Sequence, residues 1–131
     1  MFLNSPILRW RKQKQYYNLI GIKCLKCNTV YYPTKYICSC GNSQFEECTL
    51  SGFGTILSFT QITIPPVHLA YTAPYCIGLI QLDEGPKIIS QITDIDFDDL
   101  KIGLKVKSCF RKYYSADNKS IINYGIKFIL V

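Results

Sequence analysis

Four cysteines within one short stretch restrict this chain more than any other feature. Cys24-Leu-Lys-Cys27 is followed, after ten intervening residues, by Cys38-Ser-Cys40. Two close cysteine pairs at this separation suit a tetrahedral metal site, because zinc prefers four thiolate or imidazole ligands and two hairpin-borne knuckles can deliver them. The residues between the pairs include too few apolar side chains to fold alone, so metal binding would supply the folding energy. Four cysteine ligands leave no open coordination position, which assigns the ion a structural role. The second pair is Cys-x-Cys, tighter than the usual Cys-x-x-Cys. Gly41, directly after Cys40, relieves such a turn because glycine tolerates left-handed backbone angles. Zinc is the favoured ion. From spacing alone, a partly occupied ribbon, iron or a disulfide remain open.

The remaining cysteines are Cys48, Cys76 and Cys109. Cys76 and Cys109 sit in apolar, strand-like contexts and read as buried free thiols. No apolar run approaches the ~18–20 residues of a membrane span. Met1 to Trp10 lacks the charged start, apolar block and cleavage site of a secretory signal. The cytoplasm is the expected compartment, and there an odd number of cysteines favours metal over disulfides.

Charge divides the chain. Residues 1–45 carry Arg9, Arg11, Lys12, Lys14, Lys23, Lys26 and Lys35 and no acid, whereas the rest is slightly acidic. The N-terminal third therefore favours an anionic partner, whether nucleic acid, a phosphorylated cofactor or an acidic protein face. Hydrophobic residues make up 48% of the chain, enough for a packed core and too many for disorder.

Three segments follow: a helical arm over residues 1–18, the cysteine ribbon over 19–45, and a strand-rich domain over 46–131. Ser5 and Pro6 predict a helix start, with helix running to about residue 18. Strands are expected at Thr49–Ile64, with a bulge or tight bend near Gly52 and Gly54, then at Tyr75–Leu82 and Lys87–Thr93 around an Asp83–Pro86 turn. Asp94–Gly103 predicts one or two helical turns closed by Gly103. Two last strands, Lys105–Tyr113 and Ser120–Val131, flank a polar turn at Ala116–Lys119, with Val106, Ser108, Phe110 and Ile126, Phe128, Leu130 alternating inward. Three strands, a short helix and two strands is the order of a five-stranded OB-fold barrel, so the fold class is mainly β.

Chemistry for catalysis is sparse. His68 is a lone loop histidine with no nucleophile to serve, Asp94, Asp96, Asp98 and Asp99 lack the pattern of a calcium loop, and there is no glycine-rich phosphate loop. Binding rather than catalysis is expected. Single-stranded nucleic acid is the first alternative, given the barrel, the ribbon and the basic third. The strands that would bind it, Ile77–Leu82 and Ile88–Ile92, offer no stacking aromatics beyond Tyr75 at their edge, which counts against it.

Taken in order, Tyr17-Asn-Leu-Ile-Gly-Ile-Lys-Cys-Leu-Lys-Cys27, Tyr32-Pro33, Cys38-Ser-Cys-Gly41, Leu50-Ser-Gly-Phe-Gly-Thr55, Pro74-Tyr75, Leu82-Asp-Glu-Gly-Pro86 and Ile102-Gly103 resemble a family of zinc-ribbon and OB-fold proteins. That family was long filed as a domain of unknown function and is associated with acyl-CoA metabolism. The resemblance spans about Arg9 to Val131. It implies a rubredoxin-like zinc ribbon held by Cys24, Cys27, Cys38 and Cys40, and a scaffold that works beside a thiolase. In archaea it implies hydroxymethylglutaryl-CoA synthase as a second enzyme, with an intermediate passing between the two.

Two mechanisms follow from the resemblance and the charge split: bridging of enzymes by arm, ribbon and barrel, and direct binding of an acyl-CoA ligand. Arg9, Trp10, Arg11, Tyr16, Tyr17 and Tyr36 are the candidate interface residues, with helix-to-ribbon packing the bland alternative for the aromatics. Arg111 and Lys112 are weaker candidates for anion contacts, since exposed strand charges are usually solvated.

Overall fold

The computed structural model describes residues 5–114 and 121–131. The polar turn expected at Ala116–Lys119 and the expected strand start at Ser120 lie outside them.

The arm is two short helices, α1 (Pro6–Arg11) and α2 (Gln13–Asn18), rather than one. The break falls at Lys12, whose backbone leaves the helical region. Ser5 occupies the N-cap position with an extended backbone, but its side chain makes no capping bond. Neither helix buries a residue fully. Helices this short are marginal alone, and these are held from outside. The Tyr32 hydroxyl donates to the carbonyl of Gln15 at 2.7 Å, and Lys14 pairs with Glu47 at 3.0 Å. Arg9 donates to the side-chain oxygen of Asn123 and to the carbonyl of Ile122.

The ribbon is a three-stranded antiparallel sheet in the order β2 (Val30–Tyr31), β1 (Ile20–Cys24), β3 (Phe45–Thr49). The stretch expected as one strand from Thr49 is therefore divided. Thr49 ends β3 in the ribbon, and the barrel begins at β4 (Phe53–Ile62). Gly52 turns the chain between them with φ +80°. The ladder irregularity lies at Ile56/Ser58, not at the glycines.

The barrel comprises β4, β5 (Tyr75–Leu82), β6 (Lys87–Ile92), β7 (Lys105–Tyr114) and β8 (Asn123–Leu130), closed in the order β4-β5-β6-β8-β7. This is the OB arrangement expected from the strand order. The helix expected over Asp94–Gly103 reduces to a single 3-10 turn, Phe97–Asp99, capped at Leu100. Gly103 sits beyond it, its N–H donating to the Ile56 carbonyl at 2.8 Å. Four aspartates in that segment compete with helix by favouring turns, and the chain needs only to cross from β6 to β7. A second 3-10 turn, Val67–Thr72, carries His68 in the β4–β5 connection.

Walls of the barrel are unequal. β4 and β5 pair along most of their lengths, whereas β6 and β8 meet in parallel at one registered pair, Ile92 and Phe128. The Thr93 N–H, donating to the Phe128 carbonyl at 2.8 Å, and the Ser90 hydroxyl, donating to the Ile126 carbonyl at 3.0 Å, hold that side.

Ile56, Ile80, Leu82, Val106 and Phe128 fill the barrel interior, joined by Cys76, Ile92 and Leu100. Leu19 and Leu50, at the ends of ribbon strands, belong to the same cluster, and Val30, Tyr32 and Cys48 pack against it. Ribbon and barrel thus share one core. Phe110 departs from its expected inward place: it is 55% exposed. It lies past the end of the closed interior, where it stacks on Tyr124 at 5.4 Å and meets Tyr17 edge-on at 5.5 Å. Cys76 is buried as expected, whereas Cys109 is only partly covered.

Candidate metal centre and aromatic groove

The sulfurs of Cys24, Cys27, Cys38 and Cys40 all lie within 4.8 Å of one another. Cys24 and Cys40 approach to 3.7 Å, and Cys27 and Cys38 to 3.3 Å. Four thiolates at the usual ~2.3 Å from zinc stand about 3.8 Å apart in a tetrahedron, so the donor set and spacing fit that ion. Each knuckle is built by backbone bonds. In the first, the Cys24 N–H donates to the Thr29 carbonyl and the Asn28 N–H to the Cys24 carbonyl, both at 3.0 Å. In the second, the Cys38 N–H donates to the Asn42 carbonyl and the Gly41 N–H to the Cys38 carbonyl, both at 2.9 Å. Gly41 has φ +82°, the conformation that lets a Cys-x-Cys turn close.

Electrostatics in the cluster divide the thiols. The Asn42 amide donates to Cys24 at 3.4 Å and, with nearby backbone N–H groups, lowers its pKa to about 6. Cys38 is also lowered, first by the Cys40 N–H and then by the Tyr31 hydroxyl. At Cys40 the Asn42 N–H favours the thiolate, but bonding to the other sulfurs and burial push the pKa up to about 11. Thiols this close cannot all ionise without a cation among them.

Beside the ribbon lies a groove of about 390 Å³. Tyr16, Tyr17 and Arg9 of the arm form one wall, Tyr32 and Pro33 of the ribbon another, and Ile88–Ser90, Tyr113 and Asn123–Ile126 of the barrel the floor. Its main polar groups are already engaged. Tyr32 bonds to Gln15, and the Tyr113 hydroxyl donates to the Ile126 carbonyl at 2.6 Å. What remains facing the space is largely ring and aliphatic surface, suited to an apolar chain.

Two family models match this chain: the rubredoxin-like zinc ribbon domain of ChsH2 over residues 11–46 and the C-terminal OB-fold domain of ChsH2 over residues 47–111. A DUF35 domain-containing scaffold protein of Methanocaldococcus jannaschii is 39% identical over 121 residues, covering 91% of this chain and 86% of its own. The chain belongs to the DUF35 family. The benzoylsuccinyl-CoA thiolase subunit BbsA of Geobacter metallireducens is 28% identical, covering 96% of this chain and 85% of its own. Among solved structures, the Ltp2-ChsH2(DUF35) aldolase superposes with a TM-score of 0.72, covering 98% of this chain and 96% of the other at 24% identity, which supports the fold.

Within this DUF35 chain the expected interface residues separate into two sets. Arg9, Tyr16 and Tyr17 line the groove. Trp10 and Tyr36 point outward, 71% and 93% exposed, and Arg11, next to Trp10 in sequence, is also exposed. Arg111 is paired with Asp94 at 2.7 Å, and Lys112 is exposed. The groove also uses residues that were not singled out from sequence: Tyr32, Tyr113, Asn123 and Tyr124. One signal was available at Gly125, between Tyr124 and Ile126. A Cβ there would lie 2.5 Å from the Tyr113 ring, so the strand is bare where that ring lies across it. No helix among the described residues is long and apolar enough to cross a membrane.

Proposed function

We propose that this protein is a non-catalytic scaffold of acyl-CoA metabolism that holds a thiolase-superfamily enzyme through its arm and ribbon. The observation that carries the reading is the exposure of Trp10 and Tyr36 on the third of the chain that has bases and no acids. Exposed aromatics of this kind anchor interfaces, and surrounding bases steer an acidic face onto them. The names of the relatives, scaffold protein and thiolase subunit, agree with it. Zinc held by Cys24, Cys27, Cys38 and Cys40 would fix the ribbon as a rigid platform. The tyrosine-lined groove would take the apolar part of an acyl-CoA. The barrel would face a second enzyme, for which hydroxymethylglutaryl-CoA synthase is the archaeal candidate.

Co-purification from the native cell, read by mass spectrometry, tests this reading. Recovery of a thiolase-superfamily enzyme, lost on Trp10→Ala with Tyr36→Ala, is the expected result. Recovery of the chain alone, with tight capture of single-stranded nucleic acid and a steep salt dependence, would overturn it.

A further inference from the structure

The two knuckles of the metal centre are not equivalent. In the first, Cys24-Leu-Lys-Cys27, the backbone N–H groups of Cys27 and Lys26 both serve the Cys24 sulfur, and the Asn42 amide adds a third donor at 3.4 Å. In the second, Cys38-Ser-Cys40, the turn is one residue shorter. The Cys40 N–H serves the Cys38 sulfur, but the next one along, that of Gly41, is turned to the Cys38 carbonyl at 2.9 Å. The shortened turn has thus lost one backbone donor to its first thiolate.

A side chain stands in that place. The Tyr31 hydroxyl lies 3.3 Å from the Cys38 sulfur. A metal-bound thiolate carries no proton, so the hydroxyl is the donor. Its oxygen also stands 3.1 Å from the Ser39 hydroxyl and accepts the Ser39 N–H at 3.4 Å. Ser39 is the single residue between the two ligands. One hydroxyl therefore holds both the sulfur and the peptide beside it. Tyr31 comes from β2, where it pairs with Ile22 of β1. Its ring is fixed by Phe45, edge-on at 6.4 Å, and by the Lys35 ammonium, 4.5 Å from its centre.

We propose that Tyr31 is a positioning residue of the metal centre, its hydroxyl replacing the backbone donor that the Cys-x-Cys knuckle lacks. Donors to a ligating thiolate fix its orientation and draw charge from the sulfur, and loss of such an outer partner typically costs ~10–100-fold in metal affinity. Cys38 is the more vulnerable of the two buried thiolates. Deleting the Asn42 amide would leave Cys24 two backbone donors, whereas deleting the Tyr31 hydroxyl would leave Cys38 one. The inference rests on the reading of the four cysteines as a zinc site and adds to it the group that makes the irregular knuckle workable.

The test is zinc competition against a chelating dye on the full chain, with cobalt(II) substitution as the spectroscopic readout. Tyr31→Phe keeps the ring and removes the hydroxyl. It should weaken zinc binding by roughly tenfold or more. It should also move the thiolate-to-cobalt charge-transfer band to lower energy, because a sulfur relieved of a donor gives up its electrons more easily. Tyr32→Phe is the control: its hydroxyl bonds to the Gln15 carbonyl and not to sulfur, so the band should stay in place. A glycine inserted between Ser39 and Cys40 restores Cys-x-x-Cys and its second N–H. In that background Tyr31→Phe should change zinc affinity by less than about threefold. Should the inserted chain not fold, the band in Tyr31→Phe against that in Tyr32→Phe decides. A wild-type chain that takes up no metal overturns the zinc reading itself. Metal uptake by the wild type with an unmoved band or unchanged zinc affinity in Tyr31→Phe, or an equal loss with and without the insertion, overturns the role of Tyr31.

Discussion

The backbone N–H of Ser51 donates to Oε1 of Glu84 at 2.6 Å, tying the junction between ribbon and barrel to the turn between β5 and β6. Burial raises the carboxyl's pKa, but the bonds from Ser51 outweigh it and the net shift is downward. A carboxylate whose folded pKa is depressed adds stability that is fully present above its ordinary value of 4.5 and is lost as pH falls through the folded value. Glu84→Gln keeps an acceptor for Ser51 and removes the charge. It should lower stability by roughly 1 kcal/mol at neutral pH and flatten the acid limb of melting temperature against pH below 4.5. An unchanged acid limb would exclude Glu84 as its source.

Metal content should be one equivalent per chain, and Cys40→Ser should lose most of it while Cys76→Ser does not, since only the former sits in the sulfur cluster. Removal by a chelator should lower the melting temperature of the barrel as well as the ribbon, because Leu19 and Leu50 belong to the common core. Protons compete for the thiolates, so the metal should be released on acidification. Elemental analysis and a calorimetric scan check both points.

Gly52→Ala should cost about 2 kcal/mol or more, from left-handed strain and a clash together. The backbone there has φ +80°, and an added Cβ would fall 2.1 Å from the Ser108 hydroxyl. Adding Ser108→Ala to the same chain should recover part of the loss in denaturant unfolding, since it removes the nearest atom and leaves the φ strain.

Trp10→Ala should leave the melting temperature within about 1 °C, because the side chain is exposed, yet weaken partner binding by roughly 2 kcal/mol if it anchors the interface. Arg9→Ala should do the reverse. Its bonds to Asn123 and Ile122 dock the arm, so helical signal and groove shape should suffer first. Calorimetry and partner titration together separate the two roles.

The barrel could be read from sequence because its signals are local. The alternation along β7 and β8, the Asp83–Pro86 turn and the cysteine spacing each act within a few residues. What could not be read depends on tertiary partners. Phe110 carries an inward parity, yet only the barrel's closure shows that the interior has ended before it and that Tyr17 and Tyr124 await it. The helix expected at Asp94–Gly103 rested on acids at its front, and those same acids favour turns once the crossing is short. The break at Lys12 had no sequence mark, because no glycine or proline stands there. Tyr113 was visible as one tyrosine among ten. Its place in the groove follows only from the β7–β8 register, which sets it across Gly125.

That barrel wall at Ile92 and Phe128 has a mechanical meaning. Elsewhere a change in width would break a ladder of backbone bonds, but here one registered pair and two flanking bonds hold the strands together. The groove borders this line at Ser90 and Ile126. The molecule's compliance is therefore concentrated beside the groove, and a guest there should be felt as a change of barrel width at this line.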